Sequence, residues 1–207
     1  KLTLIVDLPQ NSVALAKAAL EGGADAIKVN LTQGFEEERP RLEDILDAID
    51  IPLGITPGEK TCATEEEIEK IIEMGFDFLD MNLEYMPPWL LQKKGIMKIA
   101  ILNEKYTIDK LIGLGSLGID ALEAAIVPSS GYGKELLAGD LQNYIAITIS
   151  SELPIIVPTQ RAIKLSEVAI IHDTGIKGLI LEGAVTGKTV PEIKKAVREF
   201  KFAIDDL

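Results

Sequence analysis

One short phrase recurs four times along the chain. Gly23-Ala24-Asp25-Ala26-Ile27, Gly75-Phe76-Asp77-Phe78-Leu79, Gly118-Ile119-Asp120-Ala121-Leu122 and Gly175-Ile176-Lys177-Gly178-Leu179 each end a helical stretch at glycine and open an apolar strand. The interval is roughly 50 residues, long enough for two strand–helix pairs. Four such units give eight pairs, the number that closes a parallel barrel. The repeat therefore predicts an α/β fold: one (β/α)8 barrel over residues 1–207, with eight parallel strands and outer helices. An open doubly wound sheet would gain nothing from such a repeat.

The strands read as near-continuous aliphatic runs, as parallel strands covered on both faces do. They are predicted at 2–8, 25–31, 51–56, 77–83, 97–103, 120–127, 154–159 and 177–183. Helices are predicted to begin near Ser12, Phe35, Glu65, Pro87, Ile108, Lys134, Lys164 and Pro191. Thr64 to Glu67 and Thr189 to Glu192 spell capping boxes. Gly23, Gly75, Gly95, Gly118 and Gly175 stand where left-handed helix stops belong.

Stacking the repeats on their glycines sorts the strand residues by face. Ile27, Val29, Leu79, Met81, Leu122, Ala124, Leu179 and Leu181 fall together and are all apolar, so this face lies under the helices. The alternate residues then point into the barrel. Lys28, Asp80, Glu123 and Ile180 share one layer; Asn30, Asn82, Ala125 and Glu182 lie one layer nearer the C-terminal mouth. Strand one, read alike, turns Thr3, Ile5 and Asp7 inward. Unpaired charges inside a barrel would each cost several kcal/mol, so this layer is either an ion network or a site.

The loop Gly183-Ala184-Val185-Thr186-Gly187 follows strand eight, where such barrels commonly bind phosphate at backbone N–H groups. Arg161, just past strand seven, could add a bidentate fork, and Ser130 and Gly131 a loop after strand six. Two tempting spellings fail on context. Gly113 to Gly118 matches a dinucleotide pattern but precedes a strand instead of following one. Gly183 to Thr189 lacks one residue of a nucleotide P-loop.

Other residues have plainer readings. His172 falls in a helix away from the mouth, and Lys98 toward the bottom of strand five. Glu36-Glu37-Glu38 reads as a solvated helix start, Cys62 as an inert thiol, and Trp89 as packing or an oligomer contact. The net charge of −12 disfavours nucleic acid, which requires a basic footprint. Cys62 is the only cysteine, so no internal disulfide forms and the cytoplasm is the expected compartment. No leader and no membrane-spanning apolar run is read in the sequence.

At this point the chain resembles the ribulose-phosphate-binding barrel superfamily. Leu4-Ile5-Val6-Asp7-Leu8-Pro9 with Ala26-Ile27-Lys28-Val29 resembles the first two strands of orotidine-phosphate decarboxylases, where the aspartate and lysine belong to the charged catalytic array. Ser130-Gly131-Tyr132 and Leu181-Glu182-Gly183-Ala184-Val185-Thr186 resemble the N-acylmannosamine-6-phosphate 2-epimerases. Strand three departs from both, with Gly54-Ile55-Thr56-Pro57 in place of charged residues, and Pro158-Thr159-Gln160 after strand seven replaces the acid of the epimerases. The resemblance implies the fold and a small phosphorylated metabolite as ligand.

Residues and resemblance together give an expected activity: proton transfer next to a carbonyl of a phosphorylated sugar or sugar acid, as epimerase, isomerase or lyase. Lys28 polarises the carbonyl, Asp80 or Glu123 acts as base, and Asp7 orients Lys28. Asn30, Asn82 and Glu182 bind substrate; Ser130, Gly131, Arg161, Gly183 and Ala184 bind phosphate. The alternatives are a Schiff-base aldolase using Lys28 and a non-catalytic metabolite-binding barrel. No cofactor is expected, with a divalent metal on Asp7, Asp80, Glu123 and Glu182 as the variant reading. No nucleic-acid or membrane partner is expected, and a homodimer is a guess from the fold.

Overall fold

A computed structural model of the chain describes residues 1–58 and 60–207. Its eight strands are β1 (Thr3–Asp7), β2 (Ala26–Asn30), β3 (Leu53–Thr56), β4 (Phe78–Asn82), β5 (Met97–Leu102), β6 (Ala121–Ala124), β7 (Ile155–Pro158) and β8 (Gly178–Leu181). They pair in sequence order and close, β8 against β1, with every pairing parallel. Each lies inside its predicted range.

The helices are α1 (Val13–Gly22), α2 (Phe35–Ala48), α3 (Glu65–Met74), α4 (Pro88–Leu91), α5 (Ala138–Ser150), α6 (Val168–His172), α7 (Gly183–Thr186) and α8 (Val190–Asp205). The α-helix expected from Ile108 does not form. Two 3-10 turns, Ile108–Leu111 and Gly115–Leu117, stand there, because Gly113 and Gly118 take positive φ within a few residues of each other. The helix expected near Pro87 is only one turn, and the one expected at Lys134 starts at Ala138. Both predicted capping boxes form, and the five predicted stop glycines are left-handed.

The aspartate of the repeated phrase pins the barrel floor. Asp25, Asp77 and Asp120 accept hydrogen bonds from the backbone N–H of Leu4, Leu53 and Lys98, at 2.9, 2.8 and 2.8 Å. In return their own N–H groups donate to the carbonyls of the same three residues. Each repeat thus ties its incoming strand to the one before by a reciprocal pair. Lys177 replaces aspartate in the fourth phrase, and only the backbone half survives, to Ile155.

The predicted outer face holds throughout: Ile27, Val29, Leu79, Met81, Leu122, Ala124, Leu179 and Leu181 are buried in the main core between sheet and helices. Inside the barrel a separate apolar plug contains Ile5, Ala26, Phe78, Ile99, Ala121, Ile156 and Ile180. It closes the lower end, so the charged layer sits between a dry plug and the mouth.

Candidate functional site

Lys28 lies at the centre of the charged layer. Its Nζ is 2.9 Å from Asp80 Oδ2, 3.2 Å from Asp7 Oδ2 and 3.4 Å from Glu123 Oε2. Strand alternation aims all four side chains inward, as their spacing in the repeats requires. Lys28 and Glu123 are each 3% exposed and Asp80 is fully buried. Burial is the largest single influence on Lys28 and opposes its charge, but Asp7, Asp80 and Glu123 together outweigh it and hold the ammonium well above the ordinary lysine range.

The carboxylates outnumber the cation, and the excess is relieved by a proton. Burial, and then the neighbouring Asp80, push Glu123 well above the usual carboxylate range. Asp80 Oδ1 is buried with no hydrogen-bond partner assigned among the described residues. The side chain of Asp80 hydrogen-bonds with that of Glu123, and this too raises Glu123.

Above this layer Asn30 donates from Nδ2 to Asp7 Oδ1 at 2.7 Å. Asn11 brackets the Asn30 backbone, donating to its carbonyl at 2.8 Å and accepting from its N–H at 3.2 Å. Asn11 also donates to Glu38. Glu38 corrects the sequence reading: it is 2% exposed, not solvated. It accepts from the N–H of Thr32 at 2.6 Å, the Thr32 hydroxyl at 2.8 Å and the N–H of Gln33 at 2.9 Å. Burial alone would raise its pKa, but these donors lower it. The chain Lys28–Asp7–Asn30–Asn11–Glu38 therefore runs from the barrel axis to the loop after β2.

Glu182, at the end of β8, faces the same centre. Burial is the largest influence on its carboxyl; the Lys28 charge lowers its pKa, and Asp7 and Asp80 raise it, leaving it at about 7. Its backbone N–H is held by the Thr159 hydroxyl at 2.8 Å.

One large pocket, about 1290 Å³, opens over β1, β2, β3 and the end of β8. Asp7, Asn30, Thr56, Glu182 and Gly183 line it, with Arg41 and Lys60 on its outer flank. Lys28, Asp80 and Glu123 do not: they form the layer underneath. Asp7 and Glu182 are thus the acids of the charged centre that face the pocket. Asn82 does not line it either; its Oδ1 accepts from Glu84 N–H at 2.9 Å and caps a 3-10 turn.

The expected phosphate residues separate. Gly183 lines the pocket, and a side chain there would meet nothing within 4 Å. Arg161 is a correction. Its guanidinium is buried against Asp140, with Nη2 3.0 Å from Oδ1 and Nε 2.9 Å from Oδ2, while Nη1 donates to the Gly131 carbonyl at 3.1 Å. The fork offered to phosphate is already engaged, and it ties the loops after β6 and β7 together. Gly131 is needed for that close approach, since a Cβ would come within 2.7 Å of Nη1. Ser130 and Gly131 form the Ser129–Gly131 3-10 turn, outside the pocket wall, and Ala184 also falls outside it.

Cys62 lines the pocket, but burial, with Glu67 next, pushes its thiol up to about 11, against a reactive role. The Lys98 ammonium reaches the Ile96 carbonyl, at 3.4 Å, near the barrel floor. Among the described residues no group of three or more His, Cys, Asp and Glu side chains is arranged to hold a metal ion. Among them, too, no helix is long and apolar enough to cross a membrane. Sequence reasoning missed Asn11, Glu38, Arg41 and Lys60. Only Glu38 left a trace, as the residue four after Gly34 on the buried side of α2.

The sequence matches no protein-family model and no curated protein. Solved structures do resemble the fold over its whole length. A ligand complex of KGPDC from Streptococcus mutans superposes with a TM-score of 0.79 at 14% identity, covering 99% of this chain and 98% of its own. Thiamine phosphate pyrophosphorylase from Pyrococcus furiosus gives 0.72 at 17% identity, with 99% and 96% covered. A native KDPGal structure gives 0.71 at 19% identity, with 100% and 96% covered. At these identities the likeness is one of fold.

Proposed function

We propose that this chain is an enzyme that moves a proton next to a carbonyl on a small phosphorylated sugar or sugar acid. The observation that carries the reading is a carboxyl at the pocket wall, Glu182, which feels the charge of the buried Lys28 and titrates at about 7. Glu182 takes the proton from the carbon beside the carbonyl. Negative charge then develops on the carbonyl oxygen, and the preorganised positive field of Lys28 stabilises it. Asp7, locked between Lys28 and Asn30, holds a substrate hydroxyl. The Gly183 loop receives the phosphate. Asp80 and Glu123, candidates for the base from sequence, here keep Lys28 charged. Epimerase, isomerase and lyase share this enediolate step and differ in where the proton or carbon fragment next goes.

Structural neighbours that act on phosphorylated substrates support the substrate class. The similarity of the first two strands to orotidine-phosphate decarboxylases, and of the β8 end to N-acylmannosamine-6-phosphate epimerases, supports the placement of charge and phosphate. Against the Schiff-base reading stands the raised pKa of Lys28, because a protonated amine is no nucleophile. A non-catalytic binding barrel is the second reading, favoured by the exclusion of Lys28, Asp80 and Glu123 from the pocket wall.

The test is deuterium wash-in from heavy water into a panel of phosphorylated ketoses, aldoses and sugar acids, followed by NMR. Exchange beside the carbonyl of at least one compound is expected, falling by about 100-fold or more in Glu182→Gln. A phosphosugar that binds and never exchanges or turns over selects the binding barrel. A borohydride-trapped adduct on Lys28 selects the aldolase.

A further inference from the structure

We propose that two copies of this chain pair through α5 and the two 3-10 turns that precede β6, the α5 of each copy lying over the turns of the other. The pairing does not depend on the proposed function.

The outer coat is thin at this place. The helix expected from Ile108 is absent, and the turns Ile108–Leu111 and Gly115–Leu117 stand where a full barrel coat would set a helix beside α5. The element before them, α4, is a single turn, Pro88–Leu91. The first of the 3-10 turns packs against α5. Near the second, a Cβ on Gly115 would come within 3.1 Å of Leu153, just past the end of α5. Turns and helix thus adjoin in one strip of surface.

What the strip exposes is apolar. Ile145 and Ile149, one helical turn apart on α5, are 42% and 80% exposed, and Ile112 and Leu117, on the turn side, are 75% and 56% exposed. The core beneath is filled without them, by Leu111, Leu114, Tyr144 and Ile147. Exposed apolar side chains gathered on adjoining elements mark an interaction surface, whereas single ones do not.

The strip is also free of charge. Residues 111–118 and 141–151 contain no Asp, Glu, Lys or Arg, in a chain of which 26% is charged. The one acid of α5, Asp140, is buried against Arg161. The other helices of comparable length, α1, α2, α3 and α8, all carry exposed charges. At the edges of the strip Asp109, Lys110 and Glu152 are exposed, as the polar rim of an interface is.

These features select a second copy as the occupant. Two chains of net charge −12 repel over most of their surfaces, and here they meet with no like charges opposed. A two-fold contact requires a surface complementary to itself, which an apolar, uncharged strip is and a charged one is not. The reciprocal arrangement gives each barrel, from its partner, the covering helix that its own chain lacks between β5 and β6.

The test measures the solution mass of the whole chain by light scattering and sedimentation over a wide dilution series, with amide hydrogen exchange at both ends of the series. A particle of two chains is expected, dissociating on dilution, with protection at high concentration confined to residues 108–118 and 138–151. Ile149→Lys and Ile112→Lys should each weaken pairing by about 30-fold or more, as loss of an interface hot spot does. Both side chains already face water in the single chain, and melting of the dilute variants checks the fold. Phe202→Lys, which removes an exposed apolar side chain from α8, should leave the mass unchanged. If a variant fails to fold, the wild-type exchange map decides alone. A wild type that stays a single chain overturns the pairing, and so does a single chain that binds a different protein on this face. A dimer that neither strip variant weakens, or whose protection lies elsewhere, overturns it as well.

Discussion

The ring of Phe78 fills the space into which Gly54 would project a side chain. A Cβ on Gly54 would lie 1.9 Å from Phe78 Cε2, far inside contact distance. Gly54 pairs with Lys28 on one side and Phe78 on the other, so this is where the apolar plug meets the charged layer. The missing charge on β3 has this cause: the volume belongs to an aromatic ring from β4. Gly54→Ala should destabilise by about 2 kcal/mol, as overpacking does in tight cores. Denaturant unfolding measures it. Phe78→Leu in the same chain should recover part of the loss. Additive effects would mean that the two residues do not share the space.

Removing Lys28 should be far more damaging than the loss of one hydrogen bond suggests. Lys28→Met leaves Asp7, Asp80 and Glu123 facing one another with little water. The expected loss is about 3–5 kcal/mol at neutral pH, typical of a buried pair with one partner deleted. The sign with pH follows. Without the ammonium the acids bind protons more tightly in the folded chain than in the unfolded one, so stability falls as pH rises. The variant should therefore approach wild type on acidification to about pH 5. A deficit that does not shrink at low pH would show that the acids are relieved some other way.

Much of this was legible beforehand. Lys28, Asp80 and Glu123 converge because a period-two alternation, anchored at four equivalent glycines, fixes which face each occupies. The same register put Ile5 and Ile180 inside. What escaped was decided by contacts remote in sequence. Arg161 reads as a free fork until the fold brings Asp140 beside it, 21 residues away. Glu38 reads as one of three solvated acids until Asn11 and Thr32 close over it. The aspartates of the repeat marked the strands without revealing that their side chains tie neighbouring strands. Strand periodicity also stops at the mouth, so it could not show that Lys28 lies under the pocket wall and not in it.

Asp80 and Glu123 should respond unequally to loss of charge. If Glu123 carries the shared proton, Glu123→Gln keeps a donor to Asp80 and removes no negative charge, and its cost should stay under about 1 kcal/mol. Asp80→Asn takes away the carboxylate nearest Lys28, a buried charge-assisted bond worth about 2–3 kcal/mol. Urea unfolding of both variants at neutral pH tests the asymmetry. The reverse order would show that Glu123 does not carry the proton.

Glu182 links stability and activity through one titration. Its carboxyl titrates at about 7 in the folded chain against an ordinary value of 4.5. Between those two values the folded state binds the proton more tightly than the unfolded state, so rising pH withdraws stability. The loss begins near pH 4.5 and is complete above about 7, with a ceiling on the order of 3 kcal/mol. Glu182→Gln cannot ionise, and it should be the more stable chain above about pH 7 and lose this slope. Activity should run the opposite way. A base must be deprotonated, so exchange by the wild type should rise through about pH 7 while the variant stays low and flat. The stability loss has to end where the activity rise has its midpoint, at about 7, because one carboxyl governs both. Thermal melting and proton exchange across the same pH series give that comparison. An upper end of the stability loss that differs from the activity midpoint by more than about a unit would separate the group that destabilises the mouth from the group that takes the proton.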